Sequence, residues 1–136
     1  MGSDILLICS FAWIIIWSIL GLKIGRDHLV WLDAMDKISK EGDLSKFWIT
    51  FDGFKKHVAA HAHAICYSSL AFILGLTMKA GLIEYSSTFL IVLAIWLMFG
   101  TIIASIGDYF RSLPMETGGG IIFLTGLIVS FVGLIL

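Results

Sequence analysis

The 136-residue chain is 59% hydrophobic and only 14% charged, with a mean hydropathy of +0.99 and a formal net charge of −1. That charge content is far below the roughly 25% of soluble domains, which excludes an ordinary water-soluble fold and predicts an integral membrane protein. The near-zero net charge lacks the basic excess that nucleic-acid binding requires, so no nucleic-acid partner is expected.

Four uncharged runs follow one another along the chain, at 5–22, 57–78, 85–107 and 117–136. Each is close to the roughly 20 residues a helix needs to cross about 30 Å of hydrocarbon. They are apolar on every face, whereas the strands of a membrane barrel alternate apolar and polar residues. The expected fold class is therefore all-α: four transmembrane helices in one bundle, a single membrane domain over 1–136. The first run has no Lys or Arg before it and no small-residue cleavage site after it, so it is read as a retained span rather than a signal peptide.

Between the first and second runs lies the one long connection, 23–56, with seven of the nine basic residues. The positive-inside rule places it in the cytoplasm of a multi-pass cell-membrane protein, with both termini outside; Lys79 and Arg111 are the only basic residues elsewhere. Within it Leu29, Leu32, Met35 and Ile38 recur every three residues, after Asp27 as a cap and before Gly42 as a stop. This pattern predicts a short amphipathic helix lying on the membrane surface, followed by an interfacial collar of Phe47, Trp48, Phe51 and Phe54. His28, at its start, reads as a surface histidine.

The second run opens with His57, His61 and His63, three of the four histidines in the chain. An imidazole at the mouth of a membrane span is costly and marks a candidate site. On a regular helix His57 and His61 are about 40° apart, but His63 is about 200° from His61, so the three cannot share one ion. A zinc-type site wants three or four such ligands, and the other spans supply no further histidine. Haem needs one or two axial ligands and an apolar slot, which makes it the better expectation. His61 ranks first as ligand because it is a turn deeper than His57 on the same face. His63 ranks second, sharing a face with Tyr67 four residues on.

Small residues mark the later spans: Gly100, Ala104 and Gly107 in the third, and Gly119, Gly126 and Gly133 at a spacing of seven in the fourth. They predict close helix contacts, within one protomer or between protomers. The one proline, Pro114, falls in the turn between these spans. Cys9 and Cys66 belong to no CxxC or CxxCH motif and are expected as small buried apolar groups. Hydroxyls inside the spans, such as Ser10, Ser68, Thr101 and Ser105, read as packing groups.

Ala60-His61 at the head of the second span, with Ile91, Val92, Leu93, Trp96 and Gly100 in the third, resembles the four-helix membrane family of styrene oxide isomerase and hydroxylaminobenzene mutase. The resemblance implies a homotrimer with haem b held in the membrane near the subunit interface, its iron ligated at His61. It implies an isomerase-like enzyme whose ferric haem acts as a Lewis acid on a small hydrophobic epoxide or similar substrate. The family's substrate-orienting groups differ here: an asparagine six residues after the ligand is Tyr67, and third-helix aspartate, asparagine and tyrosine positions are Ala94, Met98 and Ile102. Tyr67 is the candidate catalytic donor, and Trp96 and Met98 join the candidate cofactor pocket. Two alternatives stand beside this reading. One is a haem b electron carrier or redox or gas sensor, with His57 or His63 of another protomer, or Met98, as second axial ligand. The other is a haem-free membrane scaffold or small transporter subunit.

Overall fold

The computed structural model describes residues 1–83, 85–110 and 112–135; Arg111, and Leu136 at the end of the fourth run, lie outside the described residues. It contains four helices, α1 (Gly2–Glu41), α2 (Leu44–Lys79), α3 (Ser87–Tyr109) and α4 (Leu113–Ile135). All four are long and apolar enough to cross a membrane. Their outer surfaces carry bare Ile8, Phe11, Ile19, Ile73, Ile95 and Phe131. A water-exposed monomer does not sustain apolar surface on that scale, so hydrocarbon is the solvent these faces suit.

The connection over 23–56 is not a loop, and the separate interfacial helix expected there does not form. Instead α1 continues unbroken to Glu41, and α2 starts at Leu44 and runs straight into the second span. The stop signal at Gly42 acts as read: φ of 73° puts it in the left-handed region that glycine enters without a Cβ penalty, and its N–H bonds to Ser39 O. Asp43 then caps α2 by accepting from Lys46 N. Asp27 caps nothing, because the helix has no break there. The three-residue spacing also misjudged the inward face, since period 3 drifts off a helix of 3.6 residues per turn. Leu29 and Leu32 point outward, while Trp31 packs on Phe54 and Met35 is buried.

Lys79 Nζ reaches Asp4 at 3.1 Å, which sets the end of α2 beside the start of α1. The α3 helix is the central element, packing against the other three, and α4 touches α2 through the rings of Tyr67 and Phe123. The α3–α4 seam is built on the expected glycines, all within one protomer. Gly119 lies on the backbone of Ala104, Gly100 on that of Phe123, and Gly107 on that of Met115 and Glu116. Pro114 sits in the first turn of α4 rather than in the preceding turn, where its missing N–H would have no partner anyway. Buried Ser10, Ser68, Thr101, Ser105 and Ser130 each donate to the carbonyl four residues back, so they satisfy themselves while keeping the seams narrow. Cys9 and Cys66 are exposed on the outer faces, not buried, since both fall on arcs that no neighbouring helix covers.

Candidate functional site

Helix geometry separates the three histidines, as their spacing requires, and the structure gives each a different environment. His57 donates from Nδ1 to Gly53 O at 2.9 Å, one turn back on α2, and its ring meets Tyr109 of α3 edge-on at 5.2 Å. His61 enters the α1–α2 seam, where its ring lies against Gly21. Any side chain on that residue would collide with the imidazole. Among the described residues its buried Nδ1 has no hydrogen-bond partner, nor has the buried Nε1 of Trp17, which lies one turn before Gly21. Ala60 and Ala64 are fully buried in the same seam as Trp17, their small side chains letting the helices close around the ring.

His63 faces away from that seam. Its Nδ1 donates to Asp108 Oδ2 at 2.8 Å, across from α2 to the last turn of α3. The carboxylate is only 10% exposed while the imidazole is 51% exposed. A carboxylate almost out of reach of solvent therefore fixes the tautomer and orientation of a ring that stands at the surface. In the neutral ring, with Nδ1 committed to Asp108, the lone pair available to a ligand is on Nε2. Tyr67, one turn further along, has its ring 6.1 Å from that of His63 and also packs on Phe123 of α4 at 4.9 Å. His63, Tyr67 and Asp108 thus form one group, contributed by α2 and α3 and backed by α4.

The remaining candidates lie elsewhere. Trp96 is half exposed on the α3–α4 face and donates to Thr125 Oγ1 at 3.0 Å. Met98 is buried in the main core with Leu6, Ala71, Leu97 and Phe123. Asp108 is ten residues beyond Met98 on α3, a rise of about 15 Å. Ala94 is fully buried in that core, and Ile102 packs against it. Asp108, directly after the third uncharged run, is legible in the sequence only as a carboxylate able to meet the histidines near a membrane face, and it was not among the site residues read there. Its pairing with a histidine 45 residues away is a tertiary fact.

Among the described residues no three His, Cys, Asp or Glu side chains gather as a metal cluster. The candidate group instead offers a single, oriented imidazole beside a phenol. The fold defines the chain as an all-helical protein with four helices able to span a membrane. Comparison with known protein families, with curated proteins and with solved structures finds no match.

Proposed function

We propose that this chain is a haem b-binding multi-pass membrane protein with isomerase-like activity on small hydrophobic, oxygen-bearing substrates. The observation that carries the reading is the His63–Asp108 pair. Metal-binding histidines characteristically donate their second ring nitrogen to a carboxylate or carbonyl, which fixes the ring and raises its basicity. His63 has that arrangement at 2.8 Å, and it faces outward, where a group the size of haem has room. His61, ranked first from the sequence, has its ring enclosed against Gly21. His57 is oriented by Gly53 but looks into a cavity of only 130 Å³. His63 would therefore hold the haem, and in the homotrimer that the family resemblance implies a neighbouring copy would complete the pocket.

When bound, ferric haem supplies Lewis acidity toward an oxygen atom of the substrate. The protein's part is positioning. Asp108 holds the His63 ring, Tyr67 offers a phenolic donor on the same helix face, and the apolar surroundings exclude water, strengthening each polar contact. Within one protomer neither other histidine of α2 shares the face of His63 and Met98 is committed to the core, so an electron carrier would need its second axial ligand from a neighbouring copy, and the isomerase-like reading asks for none.

The test is absorption spectroscopy of the full chain, produced with ample haem and purified in mild detergent. The wild type should show a haem band that shifts with added imidazole, and should convert a small hydrophobic epoxide to an aldehyde. His63→Ala should lose the band while His57→Ala and His61→Ala keep it. Asp108→Asn should weaken haem retention by about 10-fold to 100-fold, the usual cost of removing a group that orients a metal-binding histidine. A wild type without haem overturns the proposal. Loss of haem in His61→Ala alone returns the ligand to His61.

A further inference from the structure

Along α1 one strip of side chains lines two adjoining cavities. The first, of 220 Å³, is a groove between α1 and α3, lined from α1 by Trp13, Ile16, Trp17 and Leu20. Its walls present no polar surface. The second, of 130 Å³, continues the same face of α1 through Lys23, Asp27 and Trp31, and is closed by Phe54 and His57 of α2. Leu20 and Tyr109 line both. The spacings of three and four residues make this one helix face, about 27 Å long from residue 13 to residue 31.

The change of character falls at Lys23, the first charge after the uncharged run of α1, and beside His57, where the run of α2 begins. The groove thus lies at hydrocarbon depth and the second cavity at headgroup depth. An occupant matching both has an alkyl chain and a polar head. The head cavity offers one cation, one anion and aromatic faces. Asp27 Oδ1 is paired on its outer side with Arg26 at 3.3 Å, and its Oδ2 has no partner among the described residues. Trp31 and Phe54, 6.0 Å apart, supply the ring faces that attract an organic ammonium. His57, donating through Nδ1 to Gly53, keeps Nε2 as a further acceptor. Lys23 matches a phosphate.

We propose that this strip seats one zwitterionic phospholipid, with an acyl chain along the α1–α3 groove, the ammonium between Asp27 and the Trp31 and Phe54 rings, and the phosphate at Lys23. The site is separate from His63 and stands whether or not the chain carries haem.

Native mass spectrometry of the detergent-solubilised full chain tests it, with phosphatidylethanolamine and phosphatidylglycerol of identical chains titrated in turn. Phosphatidylethanolamine should bind about tenfold more tightly, the size of one desolvated cation–π contact plus its carboxylate partner. Asp27→Asn should erase that preference. Soluble phosphoethanolamine at the same concentration should not bind, because it lacks the chain that fills the groove. Equal retention of both lipids by the wild type, a preference for phosphatidylglycerol, or an unchanged preference in Asp27→Asn overturns the proposal. Binding of soluble phosphoethanolamine as tight as that of the lipid overturns the acyl-chain assignment. The wild-type comparison of headgroups stands even if the variant fails to fold.

Discussion

Three consecutive glycines, Gly118, Gly119 and Gly120, open the fourth span, and replacing each in turn with alanine separates helix propensity from helix packing. A Cβ on Gly118 or Gly120 would meet nothing within 4 Å. One on Gly119 would come within 2.7 Å of Ala104 Cα and 2.9 Å of Ala104 Cβ, and closer still to Ala104 N. Carbon atoms rest at about 3.5–4.0 Å, so α3 and α4 must separate locally by about 1 Å. The contact is with backbone, which cannot rotate aside, and overpacking of this kind costs about 1–3 kcal/mol. Alanine also gains about 1 kcal/mol in helix propensity over glycine, which acts at all three positions. Gly118→Ala and Gly120→Ala should therefore be neutral to mildly stabilising, while Gly119→Ala should be about 1–3 kcal/mol less stable than either. Reversible unfolding in mixed micelles, followed by circular dichroism or by a proteolysis-coupled readout, measures the difference. A Gly119→Ala variant as stable as its two neighbours would refute the close backbone contact between α3 and α4, and with it the placement of Asp108 at the end of that seam.

Gly21→Ala should expel the His61 ring from the α1–α2 seam, because the new methyl would occupy the space of Nε2 and Nδ1. With His63 as the iron ligand, the haem spectrum should be unchanged while thermal stability falls; a spectrum altered in step with stability would point to His61. At the far tip of α2, the backbone N–H of Lys46 and then its side chain hold the Asp43 carboxyl below its ordinary pKa of 3.8. A carboxyl whose pKa is lowered by folding stabilises above the unfolded value and loses that contribution as pH falls through the folded one. Fraying of the first turn of α2, seen by amide hydrogen exchange, should therefore increase below about pH 4 in the wild type and be present at neutral pH in Asp43→Ala. A turn equally protected in both at neutral pH would dismiss the cap.

The four helices long and apolar enough to cross a membrane were legible in the sequence because such helices declare themselves by run length alone, and the glycine faces because close packing demands small side chains at helical spacing. The region 23–56 misled because its charges suggested a loop, whereas charge sets depth in the bilayer and not backbone conformation. With no proline and only Gly25, Gly42 and Gly53 in that stretch, the helices simply continue, and only Gly42 is followed by a capping residue. Periodicity also placed His57 and His61 on one face and His63 on the other. It could not choose among them, since the distinguishing partners, Gly21 and Asp108, come from other helices.

The uninterrupted course of α2 from Leu44 to Lys79 has a mechanical consequence. The charged segment after Asp43 and the segment bearing the histidines belong to one unbroken helix, so a change of tilt at the Asp43 end carries His57, His61 and His63 with it. The helical course changes direction at Gly42 and Asp43, where the two arms of the hairpin meet.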